Sequence, residues 1–134
     1  DAMIWARKNI ARHKLETRLR LQGDDWLMVG AGPFDVIFSN PPYIESGVIP
    51  ALDPDVKEYE PLAALDGGRD GLDAYRAIAP IIARLLATEG RAFLEIGQGQ
   101  EQKVPSILKA SGLETVRIAP DLAGIPRCVI AAPA

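Results

Sequence analysis

Asn40 stands between a short apolar run and two prolines, in the stretch Asp35-Val36-Ile37-Phe38-Ser39-Asn40-Pro41-Pro42-Tyr43. That setting suits a planar, weakly nucleophilic nitrogen. An amide or exocyclic amine shares its lone pair with a neighbouring π system, so it attacks an electrophile only when its hydrogens are held and its lone pair is aimed. The Asn40 side-chain oxygen and the Pro41 main-chain oxygen can each accept one hydrogen, with Tyr43 packed beside the planar group. Pro41 pushes Asn40 out of the helical region, and neither proline ring has an N–H to compete for those oxygens. Alone, Asn-Pro-Pro also reads as loop punctuation. The apolar residues before it read as a buried strand, and in open α/β sheets ligands sit at the carboxyl ends of such strands.

The elements that must position this turn alternate between helix and strand, without repeats. Residues 1–13 carry Ala2, Met3, Ala6 and Ile10 at helical spacing, an amphipathic helix. Residues 16–22 alternate polar side chains with Leu19 and Leu21, which predicts an edge strand. Gly30, Gly32 and Pro33 mark a turn before the strand at 35–39, and 44–71 reads as a long functional loop. Leu72, Tyr75, Ile78, Ile82, Leu85 and Leu86 form a helical stripe with Asp70 as cap, a bend at Pro80 and Gly90 as stop. A buried strand at 91–97, a helix over about 100–111, and strands at 113–119 and 126–132 complete the pattern. Glu95 lies inside an apolar strand and must find a partner there. A hydrogen bond to a neighbouring loop is favoured over catalysis. Cys128, the single cysteine, reads as a buried core thiol without metal-ligand companions. His13 reads as an exposed helix-end residue.

Several motifs together resemble a known family. Asn40-Pro41-Pro42-Tyr43 resembles the signature of amino-group methyltransferases that use S-adenosylmethionine. Glu60-Pro61-Leu62-Ala63-Ala64-Leu65, Asp66-Gly67-Gly68-Arg69-Asp70-Gly71-Leu72, Leu94-Glu95-Ile96-Gly97 and Asp121-Leu122-Ala123-Gly124 before Arg127 resemble the release-factor glutamine methyltransferases, in the family's order and spacing. The resemblance implies S-adenosyl-L-methionine as cofactor and, as substrate, the Gln side-chain amide in the Gly-Gly-Gln loop of class I peptide chain release factors. It implies that Asn40 and Pro41 are catalytic and that Pro42, Tyr43 and Glu60 border the substrate, although a lone acid in a charged loop such as Glu60 also reads as solvated or capping. Asp24, Asp25 and Trp26, with Asn40, border the cofactor; the spacing does not decide which aspartate meets the adenine amino group, and a solvated turn is the alternative for the pair. No metal is implied. A ribosomal-protein glutamine methyltransferase and, further off, an adenine methyltransferase acting on a flipped base share part of these motifs.

The implied fold is a truncated Rossmann-like class I methyltransferase sheet. The family order is 3-2-1-4-5-7-6 with strand 7 antiparallel, and the Gly-rich cofactor loop, the first two strands and the amino-terminal helical domain have no counterpart here. The chain is thus expected to be the carboxyl-terminal portion of a catalytic domain, inactive by itself, with an exposed strand edge at 35–39 that pairs with a second copy or is covered by residues 1–30.

Composition is consistent with this. The 134 residues are 48% hydrophobic and 25% charged, ordinary for a globular α/β piece. Fifteen basic against eighteen acidic residues give a formal charge of −3, so no global field attracts a polyanion, and nucleic acid is disfavoured as a partner. No apolar run approaches bilayer length and no signal-peptide pattern is present, which predicts a cytoplasmic location.

Overall fold

The computed structural model describes residues 2–23, 30 and 32–134. The chain forms two compact units, Asp1–Gly30 and Ala31–Ala134. The first holds helix α1 (Ala2–Arg12), none of whose residues is buried. Lys8 Nζ sits 4.4 Å from the centre of the Trp5 ring, one turn away. Beyond the helix, Lys14 adopts a positive φ of 54°, Lys14 N–H donates to Ala11 O, and Leu15 N–H donates to Ile10 O. This pattern closes the helix end.

The strand expected at 16–22 does not form; residues 16–18 are a turn, held by Arg18 and Leu19 N–H donating to the Leu15 carbonyl at 2.9 and 2.8 Å. Polar–apolar alternation makes a strand only where a neighbouring strand takes up the main-chain groups. Among the described residues none pairs with this segment.

The second unit is a four-stranded sheet of order β1-β2-β4-β3, built from β1 (Phe34–Ser39), β2 (Leu86–Glu95), β3 (Leu113–Pro120) and β4 (Pro126–Pro133). β1 and β2 run parallel, while β4 is antiparallel to both β2 and β3. The expected order of the last four strands and the reversal of the final one are both present. Helices α4 (Asp73–Leu85) and α5 (Lys103–Ala110) cover one face. The core there contains Tyr75, Ile82, Val104 and Leu108 from the helices, and Ala92, Leu94, Val129 and Ala131 from the sheet. Because strand side chains alternate between faces, Phe93, Glu95 and Cys128 project from the other one.

Residues 44–71 contain short helices, α2 (Pro54–Tyr59) and α3 (Leu62–Leu65), beside a single 3-10 turn at Ile49–Ala51. α4 runs through Pro80, whose ring lies on the exposed side, where water can reach the Arg76 carbonyl that loses its helical partner. It does not continue to Gly90 as its stop. The chain passes directly into β2 at Leu86, and Gly90 sits where the register jumps from Phe34↔Leu86 to Val36↔Arg91. A Cβ on Gly90 would lie 2.9 Å from the Phe34 carbonyl oxygen, so this glycine serves close approach of two strands. Asp70 is also not the terminal cap residue. Its carboxylate accepts from Leu72 N–H and pairs with Arg76, which also reaches Asp73.

Candidate active site

β1 ends at Ser39, and the chain turns through Asn40, exposed, and Pro41, buried. The turn opens on a cleft of about 420 Å³ lined by Phe38, Ser39, Asn40, Phe93, Glu95, Arg127 and Cys128. The cleft lies at the carboxyl ends of the two parallel strands, where an open α/β sheet places its ligands. Phe38 and Phe93 stack across β1 and β2 with ring centres 4.9 Å apart and planes 23° from parallel. Two aromatic rings and a carboxylate therefore stand beside the Asn40 amide.

Tyr43 is fixed at both ends. Its hydroxyl donates to Glu95 Oε1 at 3.0 Å, and its carbonyl accepts from Gln100 Nε2 at 3.2 Å. Burial, then the hydrogen bond to Glu95 and its charge, push the phenol above its ordinary value of 10.0, so it remains a donor throughout the neutral range. The Tyr75 hydroxyl donates to the Glu95 carbonyl at 2.7 Å. Glu95 thus meets the neighbouring loop as the sequence suggested.

Gln100, buried at 8% exposure, links three segments: it accepts from Gly97 N–H at 2.9 Å and donates to the carbonyls of Tyr43 and Gly71. Gly71 has a φ of 71°, and a Cβ there would collide with the Tyr43 carbonyl oxygen. Residues 66–68 are stitched to 44–46 as well. Ile44 pairs with Asp66, Gly67 N–H donates to Ile44 O at 2.8 Å, and Asp66 accepts from Ser46 Oγ at 2.7 Å and from Gly68 N–H. The Ser46 hydroxyl and then the Gly68 N–H hold the Asp66 carboxyl below its ordinary 3.8.

β4 supplies the far wall through Arg127 and Cys128, and the turn before it holds Arg127. Asp121 Oδ1 accepts from Ala123 and Ile125 N–H, both at 2.9 Å, and Oδ2 meets Arg127 Nε at 3.4 Å. The Ile125 N–H, the Ala123 N–H and then Arg127 hold Asp121 below its usual range against a smaller effect of burial. Arg127 is thereby drawn back toward Asp121 and the Ile96 carbonyl while it lines the cleft.

The sequence-predicted residues divide into three sets. Asn40 lies on the cleft, with Pro41, Pro42 and Tyr43 following it in the same turn. Glu60 ends α2, exposed, and is not among the cleft residues. Asp24, Asp25 and Trp26 lie outside the described residues. Cys128 is half-buried on the cleft wall rather than within the core, and burial followed by the Glu95 charge pushes its thiol upward, away from reactivity. Sequence reasoning missed Phe38, Phe93 and Gln100. The aromatics carried a signal, since the strand register sets them side by side, but Gln100 carried only its place in Gly97-Gln98-Gly99-Gln100.

Comparison with known proteins bears on the whole described architecture. The chain is 46% identical over 130 residues to the release factor glutamine methyltransferase of Rhodospirillum rubrum, covering 97% of this chain and 40% of that protein. The Caulobacter vibrioides enzyme of the same name is 44% identical over 97% of this chain and 45% of its own length. That of Bradyrhizobium diazoefficiens is 46% identical over 98% and 44%. Along almost its full length, this chain resembles release factor glutamine methyltransferases. It spans less than half the length of these relatives. No family model matches. Among solved structures, mitomycin 7-O-methyltransferase MmcR superposes with a TM-score of 0.62 at 18% identity, covering 98% of this chain and 39% of that one. LaPhzM superposes at 0.54 with 14% identity, over 95% and 38%. These likenesses carry the fold alone, an α/β methyltransferase-type sheet. Among the described residues, no helix is long and apolar enough to cross a membrane, and no group of three or more His, Cys, Asp or Glu could hold a metal ion.

Proposed function

We propose that this chain is the carboxyl-terminal portion of a methyltransferase catalytic domain whose substrate is the side-chain amide of the Gln in the Gly-Gly-Gln loop of class I peptide chain release factors. The observation that carries this reading is the Asn40–Pro41 turn open on a cleft at the end of a parallel strand, in a chain 44–46% identical to the three release factor glutamine methyltransferases named above. The cofactor is S-adenosyl-L-methionine, which supplies a methyl group already activated on a sulfonium. The lining fits the methyl end of such a group: the stacked Phe38 and Phe93 rings tolerate positive charge. Asp24 or Asp25, with Trp26, would border its adenine side.

In this mechanism, Asn40 Oδ1 and Pro41 O accept the two amide hydrogens and leave the nitrogen lone pair free to point at the methyl carbon. With the cofactor bound, the new N–C bond would form as the methyl–sulfur bond breaks, the electron pair staying on the departing thioether, and the positive character gained by the nitrogen would be faced by Asn40 Oδ1 and Pro41 O without rearrangement. One amide proton then leaves to solvent, and no strong base is required. A carboxylate substrate is rejected because it offers the two oxygens nothing to donate. The alternatives are a ribosomal-protein glutamine as substrate, or an adenine amino group. The formal charge of −3 speaks against the latter.

The test is Asn40→Ala in the complete protein, with methylated release factor read by mass spectrometry. Loss of one oriented acceptor is expected to cost roughly 2–4 kcal/mol in the transition state with cofactor affinity retained. Equal loss of affinity and turnover counts against the role, and preferential methylation of a ribosomal protein moves the substrate assignment. By itself, this chain is expected to bind S-adenosylmethionine weakly or not at all by calorimetry.

A further inference from the structure

We infer that Glu95 is a positioning residue for the amide-binding turn, acting through Tyr43. The inference rests on the functional reading above. The main chain of Glu95 is fixed in place: it pairs with Cys128 across β2 and β4, and its carbonyl accepts the Tyr75 hydroxyl at 2.7 Å. From that base its carboxylate accepts the Tyr43 hydroxyl at 3.0 Å, while Gln100 holds the Tyr43 carbonyl at 3.2 Å. The tyrosine is pinned at its ring tip and at its main chain.

Only Pro41 and Pro42 separate Tyr43 from Asn40. Both have φ locked by their rings, so the place of Tyr43 carries over to the Asn40 amide and the Pro41 carbonyl with little freedom between. Glu95 lines the same cleft as Asn40, so its hydrogen bond also keeps a charged group turned toward Tyr43. Glu95 is half-buried there, and a carboxylate partly withdrawn from water gains from such a partner. Small misplacement of the two acceptors is enough to slow an alignment-dependent reaction strongly.

The experiment compares Tyr43→Phe, Glu95→Ala, Glu95→Gln and the double variant Tyr43→Phe/Glu95→Ala in the complete protein, with Asn40→Ala alongside. Turnover, KM for the release factor, cofactor affinity by calorimetry and thermal unfolding are measured on each. Tyr43→Phe and Glu95→Ala are expected each to lower kcat about 10- to 100-fold with cofactor affinity held. The double variant should be no slower than the slower single, because the two groups act as one unit. Glu95→Gln keeps an oxygen acceptor and should recover most of the rate. Wild-type kcat in Tyr43→Phe and Glu95→Ala, with only the unfolding temperature lowered, overturns the inference, as does full additivity in the double variant; both leave the functional reading standing if Asn40→Ala is slow. Wild-type turnover in Asn40→Ala overturns that reading and this inference together. Should Glu95→Ala fail to fold, Tyr43→Phe removes a single hydroxyl and decides the matter.

Discussion

A buried side-chain amide at Gln100 ties the main chain of three loops, and no apolar residue can replace it. Gln100→Ala would leave the Gly97 N–H and the Gly71 carbonyl without their partner. Each buried polar group so stranded costs on the order of 1–3 kcal/mol, so a loss of at least that order is expected in chemical denaturation. Gln100→Glu keeps an acceptor for Gly97 but removes the donor for Tyr43 and Gly71, and should be intermediate or worse. Asn40 is the opposite kind of residue. It is exposed and makes no hydrogen bond among the described residues, so Asn40→Ala should leave the denaturation midpoint within about 0.5 kcal/mol of the parent while it abolishes most turnover. A polar residue that stabilises nothing at the end of a strand is free to serve a ligand.

At the scale of elements, the start of α4 is governed by a small ion network. Arg76 meets Asp70 at 2.6 Å and Asp73 at 2.8 Å. The Arg76 hydrogen bond holds the Asp70 carboxyl down at about 2, from an ordinary 3.8, against a weaker effect of burial. Because the folded-state value is the depressed one, the stabilisation is complete above the unfolded value and disappears as pH falls toward 2. Asp70→Asn should thus lower the unfolding temperature near neutral pH by an amount that shrinks between about pH 4 and pH 2. An unchanged gap across that window would show that Asp70 acts only as the acceptor for Leu72 N–H. The elements were legible in the sequence where one period sufficed: α1, α4, β3 and β4; the reversal of the last strand came only with the family resemblance. They were not legible where a partner decides. Leu19 and Leu21 alternate like a strand, yet a strand needs a neighbour. Gly90 follows a helical stripe like a stop signal, yet the same missing Cβ also admits Phe34. Gln100 passed unnoticed because its residue type says nothing about three facing main-chain groups.

Within the second unit, the sheet ends at β1, and among the described residues nothing pairs with its outer edge. Phe38 is 77% exposed and Val36 50%. Such an edge invites another extended strand. We therefore expect this chain, studied alone, to self-associate through residues 34–39. Sedimentation at rising concentration should show larger species, and Phe38→Lys should return them to monomer. Monomeric behaviour of the unsubstituted chain at high concentration would remove the expectation.

The Gln100 clamp also sets an order of events during folding. Its side chain joins residues 57 and 29 positions away in sequence, and such closures cost chain entropy before they return any contact energy. Helix α4 and its neighbouring strand can form from nearby residues, whereas the Tyr43 turn must wait until both distant loops have arrived. Substitution at Gln100 should therefore accelerate unfolding while leaving the refolding rate nearly unchanged. The turn that would hold a substrate amide is, on this account, the last part of the unit to close and the first to open.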